Sequence, residues 1–321
     1  MNRKIINGLN TFFFSPRGDF NFSFLRVATG FFILLQFAFL YRNWFDIYGN
    51  EGFIEWFISR DLFSISFLPS VITVADWLEP LHISPNQTLL LISVLYFLSA
   101  VGMILGWRPR IFIIAAFILH LTLCNTSMIF GYGVETFTHI ALFYLIFVPG
   151  RKFSGKPAAF KNFIWRVLQI HLCIVYLNSG VAKLQGLDWR MGEAVWYTLG
   201  NSNYGSFNLL WLSKFPFVLK TVTWWVLVIE TLYPIFIWPK LTRKFWLFNV
   251  VALHFFIGLF MGLYMFGFIM IILNIAAFFP LYRYQTSSQG GRIKTASPAA
   301  SSLSTARVIS VTPDSDTTSA S

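Results

Sequence analysis

Few side chains in this sequence can do chemistry, and most of them lie inside long apolar runs. Lys183 closes the stretch Val175-Tyr176-Leu177-Asn178-Ser179-Gly180-Val181-Ala182-Lys183-Leu184. Tyr176, Ser179 and Lys183 stand at i, i+3 and i+7, so a helix presents them on one face. An amine sheltered by apolar groups gives up its proton more readily, which is how lysines become bases near neutral pH. A lysine reaching out to the membrane interface is the other reading of this position. Glu135 and His139 stand at i and i+4, so the carboxylate could orient the imidazole. His139 and Lys183 fall at similar predicted depths, one turn in from the same side, and could share a site. Glu230, four residues before Pro234, and His254 lie near the centres of two later apolar runs. A Glu230–His254 pair would neutralise both, as a catalytic device or as a lock between helices. His120 and His171 read as polar packing residues.

The elements that must hold these groups are membrane helices. The chain has 321 residues, 56% apolar and 12% charged, with 38 phenylalanines. About 25% charge is usual for soluble domains, and a soluble fold of this length could not cover so much apolar surface. A span needs about 20 mostly apolar residues. Eight candidates occur: 20–41, 88–105, 111–130, 134–148, 163–182, 221–238, 245–261 and 263–279, the last two separated only by a Gly262 turn.

Charge tests the topology. With the N-terminus inside, 17 of the 24 Lys and Arg residues fall inside: 3, 4, 17, 108, 110, 151, 152, 156, 161, 166, 240, 243, 244, 283, 292, 294 and 307. Six fall outside (42, 60, 183, 190, 214 and 220), and Arg26 lies within the first span, placed to snorkel inward. An odd number of spans would scramble this alternation. The net charge of +11 therefore reads as topological rather than as a nucleic-acid footprint. The fold class is an all-α integral membrane protein of about eight transmembrane helices, with both termini cytoplasmic. The short run Phe12-Phe13-Phe14 lacks the length and cleavage site of a signal peptide, so the first span is expected to be retained.

Two long external segments, 42–87 and 183–219, are punctuated by aromatics such as Trp44, Trp56, Phe63, Trp77, Trp189 and Trp211. They are expected to form short helices lying at the membrane interface. Residues 1–284 form the membrane domain, and residues 285–321, rich in Ser, Thr and Ala, a disordered cytoplasmic tail. Cys124 and Cys173 lie far apart inside apolar runs and predict neither a disulfide nor a metal site. Phosphate loops and metalloprotease, redox and esterase motifs are absent. The four histidines inside apolar runs leave a haem-binding redox protein as one alternative.

The segment Tyr176-x2-Ser179-Gly180-Val181-Ala182-Lys183-Leu184-x4-Trp189-x2-Gly192 resembles the Gly-x-x-Lys-Leu…Trp…Gly stretch of the vitamin K-dependent γ-carboxylase family. Short bacterial relatives of that family carry the horizontally transferred transmembrane (HTTM) domain. Thr138-His139 is similar to the family's Asn-His pair, and Glu230-x3-Pro234 followed by His254 to its Glu…Pro…His pattern. Together these stretches cover about residues 20–280. The resemblance implies that Lys183 is the base that deprotonates a reduced quinone (menaquinol or vitamin K hydroquinone) and that His139 is its hydrogen-bonding partner. Glu135, Tyr176, Ser179, Glu230 and His254 are then supporting residues. It implies that O₂ and CO₂ are co-substrates and that no metal is needed. The carboxylation, or a related lyase-class modification, would fall on a secreted peptide or a lipid at the outer face of a bacterial cytoplasmic membrane. Two departures stand out: Thr138 replaces the family's asparagine, and a Ser/Thr/Ala-rich tail follows the spans where the carboxylases carry a large peptide-handling domain. The chain also resembles the sporulation-delaying-protein B group, which implies a non-catalytic alternative: a membrane partner in the maturation or export of a secreted peptide toxin.

Overall fold

The computed structural model describes residues 3–15, 20–62, 65–148, 156–201, 207 and 209–279. Among these the secondary structure is entirely helical. Fourteen α-helices follow in order: α1 (Arg3–Phe14), α2 (Phe20–Leu40), α3 (Trp44–Tyr48), α4 (Trp56–Leu62), α5 (Val71–Leu78), α6 (Pro85–Leu105), α7 (Pro109–Thr126), α8 (Val134–Ile146), α9 (Lys156–Gln185), α10 (Leu187–Met191), α11 (Ala194–Gly200), α12 (Pro216–Phe236), α13 (Lys240–Met261) and α14 (Tyr264–Phe278). The expected tail, 285–321, lies outside the described residues, as do Phe63 and Tyr204.

Among the described residues six helices are long and apolar enough to cross a membrane: α2, α6, α7, α9, α12 and α13. This is the architecture of a multi-pass membrane protein. Each of the eight predicted spans is occupied by a helix. Two of these, α8 with 13 residues and α14 with 15, are shorter than the others. At about 1.5 Å per residue they fall short of a hydrocarbon layer about 30 Å thick.

Solvent preference is inverted relative to a water-soluble fold. On α6 the large side chains of Leu90, Leu91, Val94, Leu95, Phe97 and Leu98 face outward, while Thr88, Ser93 and Ser99 are buried. Lipid-facing helices are expected to look like this, because the bundle interior is where polar groups find partners. The most uniformly apolar helix, α14, is buried on nearly every side. It packs on α2 and α8 on one flank and on α9 and α13 on the other. It thereby joins two groups of helices, α2–α6–α7–α8 and α9–α12–α13.

The tight Gly262 turn exists as expected. Gly262 takes a left-handed conformation (φ 72°) that ends α13 and lets α14 fold straight back. Close packing follows: a Cβ on Gly267 of α14 would stand 2.3 Å from the His254 carbonyl oxygen of α13.

The basic end of the bundle carries two features that the hydropathy pattern does not display. One is α1, an amphipathic helix just ahead of the first span. It docks on α9 through the carbonyls of Phe12 and Phe13, which accept from Asn162 Nδ2 at 3.0 and 2.7 Å. The Arg166 guanidinium lies 4.1 Å from the Phe12 ring centroid. The other is Arg26, which donates to the carbonyls of Met103 and Ile104 at the end of α6. A cation there complements the helix dipole and the free terminal carbonyls. Arg26 is thus tied into the fold, beyond the simple snorkelling expected of it.

The segment between α2 and α6 does form short helices, but only part of it lies on the surface. Phe53, Phe57, Phe67 and Trp77 are exposed. Trp44 and Trp56 are buried, with the Trp44 indole N–H on Ser93 Oγ at 2.7 Å and that of Trp56 on the Tyr48 carbonyl at 3.0 Å. This segment plugs the end of the bundle rather than floating beside it. Asn125 of α7 holds it down. Its amide donates to the carbonyls of Ile65 and Leu68 at 3.2 and 3.0 Å, and its Oδ1 accepts from the Ile65 N–H at 2.8 Å. Asn125→Ala is therefore expected to lose about 3 kcal/mol, from roughly 1 kcal/mol per net hydrogen bond. Limited proteolysis should show earlier cleavage within 50–70 while the membrane helices stay intact.

Candidate functional site

Two polar centres lie at the bundle end that carries the long connecting segments. The first is built by α9 and α12. These helices touch backbone to backbone because position 180 is glycine: a Cβ there would stand 2.7 Å from the Thr231 nitrogen and 2.8 Å from its Cα. This contact brings the predicted face of α9 onto Glu230. Lys183 Nζ lies 2.6 Å from Glu230 Oε2 and 2.6 Å from Ser179 Oγ, and the Ser179 hydroxyl donates to the same carboxylate oxygen at 3.0 Å.

The Lys183 side chain is 22% exposed and that of Glu230 7%, so the ion pair is sheltered but open on the lysine side. The Trp189 ring covers that side, its centroid 5.2 Å from Nζ. Trp189 belongs to α10, which α12 steadies through a hydrogen bond from Trp224 Nε1 to the Arg190 carbonyl at 3.1 Å. Pro234 lies inside α12 and has no N–H to offer the Glu230 carbonyl, so the regular helix ladder is interrupted beside the ion pair.

One turn deeper along α9, Tyr176 opens a second set of bonds. Its hydroxyl meets His254 Nε2 at 2.8 Å and accepts from Asn274 Nδ2 at 2.8 Å. Asn274 Oδ1 accepts from the Tyr233 hydroxyl at 2.8 Å, and the two tyrosine rings stack at 4.1 Å. The hydroxyl also has a proton to give, so either it or His254 Nε2 can donate in the contact between them. Four helices, α9, α12, α13 and α14, are bound together by this chain.

The expected Glu230–His254 pair is therefore corrected. Glu230 pairs with Lys183, and His254 with Tyr176. A lysine offers the buried carboxylate an opposite charge at hydrogen-bonding distance, whereas a neutral tyrosine–histidine contact carries no desolvated charge.

His139 and Glu135 lie elsewhere, on α8, in the other group of helices. His139 Nδ1 meets the Glu135 carbonyl oxygen at 3.1 Å, one turn back on its own helix. The Glu135 carboxylate does not orient the imidazole as expected; its Oε2 accepts from the Tyr132 N–H at 3.2 Å. The hydrogen-bonding partners of Lys183 are Ser179 and Glu230, not His139. Register explains the separation. Helices α8 and α9 meet where the Tyr144 hydroxyl bonds His171 Nδ1 at 2.9 Å. His139 is five residues from that point along α8 and Lys183 twelve along α9. At about 1.5 Å per residue their depths differ by about 10 Å. Phe266 of α14 stands between the groups, against Phe137 of α8 at 5.8 Å and His254 at 5.6 Å.

Asn274 and Tyr233 escape a sequence search that follows ionisable groups alone. The available signal is Asn274 itself, an amide in the middle of an otherwise apolar span. His120, expected to be a packing residue, is buried and bonds the Tyr96 hydroxyl through Nδ1 at 2.8 Å. His171 is likewise held by Tyr144.

Compared with curated proteins, the chain is similar to "Uncharacterized protein YitO" of Bacillus subtilis (strain 168). The two are 26% identical over 188 residues, which cover 52% of this chain and 60% of the relative. The chain thus spans about 60% of the length of the curated relative it matches. No family model matches the chain. No solved structure matches it.

Proposed function

We propose that the chain is an eight-span protein of a bacterial cytoplasmic membrane whose Lys183–Glu230 centre faces outward and takes a proton from a lipid quinol. On this reading it belongs with the short, HTTM-type relatives of the vitamin K-dependent γ-carboxylases. The quinol, with O₂ and CO₂, then drives carboxylation or a related modification of a peptide or lipid at the outer face. The observation that carries this reading is the 2.6 Å contact between Lys183 Nζ and Glu230 Oε2, beside an open side that the Trp189 ring faces.

The pair has the properties such a step needs. In a low-dielectric setting an ammonium–carboxylate pair and an amine–carboxylic acid pair lie close in energy, so one proton can pass along the short contact. Passing it to Glu230 leaves Lys183 as a neutral amine. That amine accepts the quinol O–H proton, and the ammonium so formed stays beside the quinolate it has made. Ser179 steadies both partners. Tyr176, His254 and Asn274 hold the helices that carry them.

With vitamin K hydroquinone, bicarbonate and air, the protein in detergent or vesicles is expected to form quinone 2,3-epoxide, detected by chromatography. Lys183→Ala is expected to lower that rate by about 100-fold or more, the lower range for a positioned acid–base group. Unchanged turnover in that variant refutes the assignment.

A second reading, a membrane partner for a secreted peptide, draws on the exposed aromatics Phe53, Phe57, Phe67 and Trp77. It predicts that substituting those residues abolishes function while Lys183→Ala preserves it.

A further inference from the structure

His120, Cys124 and His139 form a compact group that the quinol chemistry does not use. His120 and Cys124 stand at i and i+4 on α7, and His139 faces them from α8. One ligand atom from each lies within 4.8 Å of the other two. The two imidazole centroids are 4.5 Å apart, and Cys124 Sγ is 3.6 Å from His120 Nε2. Metal–nitrogen and metal–sulfur bonds of about 2.0 and 2.3 Å set two such ligands about 3.6 Å apart around one ion.

The ring orientations point the same way. His139 engages the Glu135 carbonyl through Nδ1, which fixes the proton there and leaves Nε2 as a lone pair. That Nε2 is buried and has no hydrogen-bond partner. Buried polar atoms in this condition are uncommon and ask for an explanation. His120 has the Tyr96 hydroxyl on Nδ1 at 2.8 Å, while its Nε2 meets the Glu135 carbonyl at a long 3.4 Å; metal binding would replace that contact, with the imidazole proton moving to Nδ1 and the Tyr96 hydroxyl accepting it. Each imidazole therefore has an outer partner on Nδ1, His120 Nε2 lies beside the thiol, and His139 Nε2 is left unpartnered. Outer partners of this kind are characteristic of metal-ligating histidines.

We propose that His120, Cys124 and His139 bind one Cu(I) ion. The thiol loses its proton to solvent on binding, and no change of oxidation state is involved. Thiolate with imidazole suits Cu(I) or Zn(II). Coordination number decides between them. Three protein ligands complete a trigonal Cu(I) site, whereas Zn(II) almost always takes four ligands, and the group has three His and Cys ligands among the described residues. The site would pin α7 to α8 beneath the plug formed by α3–α5.

The test uses the full chain, purified in detergent, stripped of metal and titrated anaerobically with Cu(I) against a chromogenic chelator. About one ion per chain is expected to resist the competitor. Loss of even an outer partner weakens metal sites about 10–100-fold, so Cys124→Ser and His139→Gln should each weaken binding by at least about 100-fold. His82→Ala, at an exposed histidine, should not. A readout that needs no variant guards against misfolding: Cu(I) should protect Cys124 of the wild-type chain from maleimide alkylation, located by peptide mass spectrometry. Absence of stoichiometric Cu(I), preference for Zn(II), undiminished affinity in both ligand variants, or unchanged alkylation of Cys124 overturns the proposal.

Discussion

Glu230→Leu is expected to cost about 3 kcal/mol of stability and to abolish quinol chemistry together. Breaking a buried pair from one side strands the other charge, a loss of about 3–5 kcal/mol. The lower figure applies because the Lys183 side chain keeps 22% exposure and can swing outward. The same logic predicts rescue. The double variant Lys183→Met/Glu230→Leu removes both charges and should recover most of the lost stability while remaining inactive. Thermal unfolding in detergent of the two single variants and the double variant supplies the check. If Glu230→Leu alone is as stable as wild type, the pair is not buried as described. If the double variant is no better than the single, the cost comes from packing rather than stranded charge.

Gly180→Val should be as damaging, by another route. The added Cβ would lie 2.5 Å from Thr231 Oγ1 and within 2.8 Å of the Thr231 backbone. A side chain could rotate away, but the backbone of a packed helix cannot. The cost is about 3 kcal/mol, the upper end for overpacking, because α9 and α12 must separate. Separation would also open the Lys183–Glu230 contact one turn away, so activity should fall even at temperatures where the protein stays folded. Gly8→Ala is the matched control: nothing lies within 4 Å of its Cβ, and alanine favours the helix. Melting temperature and epoxide formation, measured side by side, separate the two effects.

These two predictions also mark how far the sequence could be read. The helices within all eight predicted spans were legible because long apolar runs and sided basic residues are local signals. The face Tyr176–Ser179–Lys183 was legible because helical spacing alone sets it. The partner of Lys183 was not. Depth pointed to His139 and paired Glu230 with His254; the actual contact turns on Gly180, which draws α12 rather than α8 onto this face. Such contacts between distant helices have no local signature. The amphipathic α1 was hidden for a different reason: its apolar residues are spaced around a polar stretch, so a run-based search passes over it. His120 and Cys124 share a helical face in plain view, but a search confined to histidines does not pair them.

Every functional step above depends on the side to which Lys183 opens. Leu187 in α10 is 63% exposed at the Lys183 end of the bundle, and Leu241 in α13 is 92% exposed at the opposite, basic end. Each can be replaced by cysteine and tested with a membrane-impermeant maleimide on intact cells, with the unaltered chain as the blank. The outward-facing site predicts that Leu187→Cys is labelled from outside and Leu241→Cys only after the cells are permeabilised. Labelling in the reverse order would put Lys183 and Glu230 on the cytoplasmic side and contradict the account.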